Sequence, residues 1–508
     1  MANRRTAVIV GSGVGGLALA NILAKAGYEV TVYEKNDTAG GRMGVIKKKG
    51  FTFDTGPSWY LMKDVFTDYF RLFGKTTSNY YDLARLDPAY RVFFETMDPT
   101  VIKGNMEADT ETFESLEHGA ASRLRKYVTR AESNYNIALK YFLYNPFKRP
   151  SNLLKKDLLL ALPGFAGVFT RSLHGYVSSN FRRKELQQIL EYPSVFLGAS
   201  PFNTPALYQL MSYLDFNEGV FYPKKKGMYA VADALCKLGA ELGVEYKFNS
   251  DVTKIVVKDG NATGIIANKS FVSADIVVSN ADLHFTETQL LDQKHQSYPA
   301  KYWKKRKAGP SALLLFLGVK GSLPELEHHN LFFVKDWRQN FDQIYKYKSW
   351  PKSASMYVSK TTATDKSTAP KNHENVFVLV PLPSGASPGR SEIDKLIEVY
   401  LAQLEELSGI KDLRQRIVLK EIYTPDHFGD AFNSWLNTAL GMSHTLRQSA
   451  FLRPSVKSKK VDNLYYVGAG SQPGIGVPMC IISAQLVYKY LVQDWSSSAP
   501  STIERSVL

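Results

Sequence analysis

Three groups of residues in this 508-residue chain have types and spacings that could do chemistry. The first is Gly11-Ser12-Gly13-Val14-Gly15-Gly16, in which Gly11, Gly13 and Gly16 fill a G-x-G-x-x-G pattern, with Glu34 about 20 residues further on. Such glycines make a tight turn, let backbone approach a pyrophosphate and let a helix pack close to a strand. The N–H groups of a following helix face the phosphates, and an acid at that distance accepts from a ribose hydroxyl. The second group runs from Lys35 to Gly40-Gly41-Arg42, where paired glycines again permit close approach and a guanidinium can neutralise phosphate charge. The third is a glycine-rich run near the C-terminus, Gly468 to Pro478. Beyond these, His444 and Gln448 would share one face of a helix and offer a polar pair to a redox centre. A lone histidine is more often structural.

The elements that position these groups are legible around them. Thr6–Val10 is apolar and β-branched, a buried strand. Leu17 to Ala26 reads as a helix closed by Gly27, and Glu29 to Tyr33 as a second strand ending at Glu34. Strand, glycine turn, helix, strand and acid together spell an adenine dinucleotide site but leave NAD and FAD open. The Gly40–Arg42 loop favours FAD, because large flavoproteins add such a loop beside the first turn. Ala230 to Gly243 is an amphipathic helix, followed by strands at Val244–Phe248, Asp251–Val257 and Ile276–Asp282. Asn463 to Val467 is a strand running into glycines, and Met479 to Tyr490 a helix.

Composition is that of a folded globular protein, with 44% hydrophobic, 22% charged and 12% aromatic residues. Its length predicts two domains or more. The two cysteines, Cys236 and Cys480, form no Cys/His cluster, so no metal and no disulfide framework is expected and a reducing compartment is. The N-terminus leaves no room for a signal peptide, and no apolar run reaches the roughly 18 residues of a spanning helix. The net charge of +15 suits an anionic surface; without a helix-turn-helix, zinc-finger or RNP-type signature, nucleic acid ranks low. Leu158 to Thr170 is uncharged, flanked by Lys148, Arg149, Lys155 and Lys156 before it and Arg171, Arg182, Arg183 and Lys184 after it. This pattern suits a segment dipping into a membrane interface, against the alternative of a kinked core helix.

Glu34, Gly40-Gly41-Arg42 and the run Asp54-Thr55-Gly56-Pro57-Ser58 resemble the bacterial phytoene and carotenoid desaturases of the FAD-dependent, amine-oxidase-like superfamily. The resemblance runs nearly end to end and implies an α/β fold, a Rossmann-like FAD-binding domain with an inserted α+β substrate domain. The FAD domain is expected in residues 1–86, 214–284 and 455–495, the substrate and membrane-associating domain in 87–213 and 285–454, with a disordered tail at 496–508. It implies that Gly56, Pro57 and Ser58 lie along the cofactor and that Val252 contacts the adenine through its backbone. It also implies that Gly468 and Gly476-Val477-Pro478 sit against the isoalloxazine, where helix N–H groups stabilise charge on the reduced ring. FAD binding is thereby expected of Gly11, Ser12, Gly13, Gly15, Gly16, Glu34, Lys35, Gly40, Gly41 and Arg42 as well.

The activity implied is dehydrogenation of a carotenoid by hydride transfer to flavin, with oxygen or a membrane quinone as acceptor. A peripheral enzyme on the cytoplasmic side of the membrane would draw its substrate from the bilayer. The family's Gly-Gly before the methionine is here Lys224-Lys225-Lys226-Gly227-Met228, which leans the reading from phytoene towards 3,4-desaturation of a hydroxylated carotenoid. Two rivals share the motifs: an amine or protoporphyrinogen oxidase, and a non-enzymatic lipid carrier of the Rab GDP-dissociation-inhibitor kind.

Overall fold

The computed structural model describes residues 4–153 and 171–504. Its first layer is a five-stranded, all-parallel sheet ordered Leu464–Tyr466, Ile276–Ser279, Thr6–Val10, Glu29–Tyr33, Glu245–Lys247. A parallel sheet is covered on both faces, which is why Thr6–Val10 and Ile276–Ser279 are near-continuous apolar runs. Helices Val14–Ala26, Tyr229–Glu241 and Val477–Leu491 supply one cover and share a core with the sheet. Gly27 closes the first helix in the left-handed conformation at φ 104°, as its position predicts. Val252–Lys258, read above as one more strand of this domain, instead forms a separate antiparallel sheet with Asn261–Ala267 and Ser270–Ser273.

The second layer is a seven-stranded mixed sheet whose long central strands are Ser311–Lys320 and His373–Leu382. Within residues 87–213, Tyr90–Phe94 and Thr100–Ile102 extend this sheet at one edge, with Tyr90–Phe94 parallel to His329–Phe333. Helix Arg390–Ser408 packs its Ile393, Ile397, Tyr400 and Leu404 into that sheet's core.

The stretch expected as a disordered tail packs back on the first domain as far as Glu504. Lys489 is fully buried and donates to the carbonyls of Tyr144, Ser496 and Ser498, and Ile503 enters the core. The Leu158–Thr170 segment lies outside the described residues. Among the described residues, no helix is long and apolar enough to cross a membrane, and no group of side chains could hold a metal ion.

Candidate cofactor and substrate site

The ends of the parallel strands converge on one spot, because the strand order reverses about Thr6–Val10 and opens a crevice there. Gly11 turns the chain at φ 93°, and its N–H donates to Tyr33 O at 2.7 Å. A Cβ on Gly16 would lie 2.4 Å from Gly11 O, and one on Gly15 would lie 2.9 Å from Gly468 Cα. These two glycines therefore bring the helix onto the turn and the N-terminal turn onto the C-terminal one. The second loop docks on the first through Gly40 N–H to Ser12 O at 2.9 Å. Gly13 and Gly41 face each other, and Gly56 packs on Arg42 O.

Glu34 is buried and holds four bonds. One carboxylate oxygen accepts from Ser12 N and Oγ, both at 2.8 Å, and the other from Asn36 N and Nδ2, both at 2.9 Å. Ser12, expected at the cofactor, is itself fully buried and works through Glu34: it orients the acid that a ribose would meet. Lys35 lines the crevice and also reaches its cover. Its ammonium donates to Asp430 O at 2.6 Å, while Asn36 donates to Ala431 O at 3.2 Å. Both tie the end of helix Pro425–Phe432 over the crevice.

Arg42 meets the same segment. It donates to Ser434 Oγ and lies 5.5 Å from the Phe432 ring. Its Nε is buried without a partner. Burial lowers the guanidinium's basicity, with Asp282 opposing that. A half-buried cation with an unpartnered Nε, paired with no carboxylate at contact distance among the described residues, is costly. A pyrophosphate placed between Arg42 and the glycine turns would satisfy it, so the residues present fit a dinucleotide. Val252 is buried beside Ser250, whose N–H donates to Glu34 O at 2.8 Å, and it lines the same space. Pro57 and Ser58 line it too.

At the far end Gly468 and Gly476 adopt φ of 101° and 123°, and Val477-Pro478 start the last helix without any side-chain cap. Gly476, Val477 and Pro478 face the crevice there. His444 does too, but not as expected: Leu446–Gln448 is a single 3-10 turn, so His444 and Gln448 share no helix face. Gln448 instead clamps backbone, accepting from Lys307 N and donating to the carbonyls of Lys307 and Ser443. His444 Nε2 accepts from Ile475 N at 3.1 Å, which places the ring proton on Nδ1, 2.8 Å from the Tyr208 hydroxyl. Burial, with the neighbouring Arg453 charge, pulls its pKa well below the ordinary value. Neutral and engaged at both nitrogens, His444 orients the turn and is no free base.

The crevice is one end of a cavity of about 920 Å³ in all, whose other end runs over the second sheet. Its floor is one row of directly paired residues across five strands, Tyr423, Leu314, Leu379, Tyr357 and Leu331. At ~4.8 Å per strand the row is about 19 Å long. Trp59 stands over it, stacked on His329 at 4.2 Å and in ring contact with Tyr192, Phe196 and Tyr357. Lys224, Lys225 and Lys226 are exposed and off this wall; Lys226 pairs with Asp233 at 2.6 Å and Lys225 N–H donates to Asp365 at 2.6 Å. They cannot select a substrate by touching it.

Sequence reasoning missed Asn280, Asn433, Ser434 and Trp59. Asn280 had a signal, since it ends a strand of the parallel sheet where ligands bind; its Nδ2 donates to Val467 O at 2.9 Å beside Gly13. Asn433 and Ser434 arrive from nearly 400 residues away and carry no motif; Trp59 directly follows the Asp54–Ser58 run, which says nothing of a ring over a cavity floor.

The family model described as flavin containing amine oxidoreductase matches residues 14–487. A carotenoid 3,4-desaturase of Haloarcula japonica is 41% identical, over 96% of this chain and 98% of its own. A zeta-carotene-forming phytoene desaturase of Myxococcus xanthus is 33% identical, over 96% and 94%. Among solved structures, an oxidoreductase from Methanosarcina mazei superposes with a TM-score of 0.63 at 19% identity, covering 95% of this chain and 99% of that one, which speaks to the fold alone.

Proposed function

The chain belongs to the flavin-containing amine oxidoreductase family and is an FAD-dependent oxidoreductase, and on that premise we propose that it desaturates a carotenoid. The observation that carries this reading is the cavity floor: a straight row of apolar and aromatic residues leading from the cofactor crevice across five strands. A carotenoid is about 30 Å long and almost wholly apolar. A linear floor suits it better than the compact cage an amine or a tetrapyrrole would need. Both named desaturase relatives support it. The Haloarcula relative also supports the finer reading, introduction of a 3,4 double bond; the lysines at 224–226 no longer do.

Desaturation removes a hydride from one carbon and a proton from its neighbour, leaving a C=C bond in conjugation with the polyene. Bound FAD supplies the two-electron sink that accepts the hydride. Glu34 would hold the ribose, Arg42 and the glycine turns the pyrophosphate, Val252 the adenine, and the Gly476–Pro478 helix start the ring. The chain's own part is to bind and to orient. His444 keeps the turn at Ile475 in place, and the rings around Trp59 hold the polyene straight. The proton leaves to water, and oxygen or a quinone reoxidises the enzyme.

Membrane docking completes the reading. Leu446, Phe451 and Leu452 are large apolar side chains left exposed where they border the cavity, and Arg447 stands among them. They suit a mouth seated on the cytoplasmic face of a bilayer. Replacing Phe451 and Leu452 by serine should reduce flotation with liposomes; undiminished flotation would take the mouth off the membrane.

The function itself is tested by anaerobic incubation of the flavin-loaded protein with liposomes carrying single carotenoids. Loss of oxidised flavin absorbance together with a red-shifted polyene band is expected for at least one. If none does this, the carotenoid reading fails.

A further inference from the structure

Past Trp59 the cavity wall continues as a chain of rings. Trp59 meets Tyr192 at 5.9 Å, Tyr192 meets Phe333 at 6.3 Å, Phe333 meets Trp337 at 5.0 Å and Trp337 meets Phe341 at 5.0 Å. This stretch is built for hydrocarbon, and its polar groups are taken up by protein. Trp337 Nε1 donates to the buried carboxylate of Glu191 at 2.9 Å, and Ser355 Oγ accepts from Val334 N at 3.3 Å.

Asn340 is different. It is 4% exposed and lines the cavity beside Trp337, Phe341 and Ser355. Its Oδ1 accepts from Ser355 N at 3.3 Å, which sets the orientation of the carboxamide. Its Nδ2 is then buried with no acceptor. Folded proteins seldom keep such a donor unless a ligand or water completes it. Three other neutral wall residues also hold an unpartnered atom: Trp59, Asn134 and Gln472. Trp59 Nε1 lies by the Tyr357 hydroxyl, and Gln472 belongs to the cofactor-side turn next to Pro473. Asn134, on helix Ala120–Ala138, holds an orphan Nδ2 of the same kind on another element of the cavity wall, and serves as a control.

We propose that Asn340 Nδ2 donates a hydrogen bond to an oxygen on the end group of the substrate and so sets how the polyene is positioned along the cavity. This rests on the carotenoid reading above and deepens it. A tethered end limits how far the chain threads past the cofactor crevice, so one donor at the ring-lined stretch decides which bond is presented for oxidation. In an apolar channel a polyene can slide; a hydrogen bond at one end stops it.

The test is a binding titration of FAD-loaded protein in detergent, following quenching of tryptophan emission. The two ligands are an acyclic carotenoid with a terminal hydroxyl and its unhydroxylated parent. The wild-type protein should bind the hydroxylated compound roughly three- to tenfold more tightly, the range of one net hydrogen bond. Asn340→Leu should erase that preference while flavin content and affinity for the parent stay the same. Asn134→Leu should keep it. Absence of a preference in the wild type, its persistence in Asn340→Leu, or its loss in Asn134→Leu would each overturn the proposal while leaving carotenoid binding intact. If neither carotenoid binds, the carotenoid reading falls and this proposal with it.

Discussion

The two halves of the site are held together by opposite means. The cofactor crevice is polar and over-determined: Glu34 carries four hydrogen bonds, Arg42 and Lys35 are tied to residues 430–434, and Gly15 and Gly16 leave no room for a methyl group. The substrate cavity is apolar, and its floor depends only on the register of five strands. The difference teaches where specificity can change. A dinucleotide is the same ligand throughout a family, so its cradle tolerates little. A floor made of interchangeable apolar side chains can be retuned one residue at a time without disturbing the cradle.

That contrast predicts a graded series. The largest effect belongs to Gly16→Val, since even the first added carbon would meet Gly11 O at 2.4 Å, a backbone atom that cannot yield. A loss of about 3 kcal/mol of stability is expected, with little flavin recovered on purification. Normal flavin content in this variant would show that helix and turn need not touch.

Glu34→Ala comes next. It strips the acceptor from Ser12 and Asn36 and removes the expected ribose partner, at about 3 kcal/mol for charged hydrogen bonds lost. Flavin retention, read by absorbance after gel filtration, should fall sharply; unchanged retention would take the acid off the ribose.

The smallest effect is pH-linked. His444 has its pKa held well below the ordinary value, so below about pH 6.5 the unfolded chain binds a proton that the folded one refuses. Stability therefore falls with pH there, by at most about 1.4 kcal/mol per unit for this group. Asp215, raised to about 7 by burial, contributes with the opposite sign, so the comparison is with His444→Gln at each pH. The wild type should lose thermal stability relative to that variant between pH 7 and pH 5.5. Parallel curves would mean that His444 titrates normally.

Legibility followed the same division. The crevice was readable because its chemistry is local: Gly11 to Glu34 and Gly40 to Arg42 form motifs whose spacing has a mechanical reason. The cover over it was not, since Lys35 and Asn36 meet a segment about 395 positions away that has no pattern of its own. The floor was invisible for a related reason. Leu314, Leu379, Tyr357 and Leu331 look like ordinary strand residues until register sets them in line. His444 and Gln448 misled because a four-residue spacing means a shared face only on a helix, and here it spans an irregular stretch. The lysines at 224–226 do not act by contact, because a departure from a family pattern can face solvent as easily as ligand.

The central claim is that this apolar row carries the substrate to the cofactor. Leu379 stands in its middle, so Leu379→Phe tests it most directly. The rate at which a carotenoid reduces the bound flavin anaerobically should fall on the order of tenfold or more, as expected for a substrate displaced by about 1 Å, with flavin content unchanged. Equal rates in variant and wild type would contradict the claim.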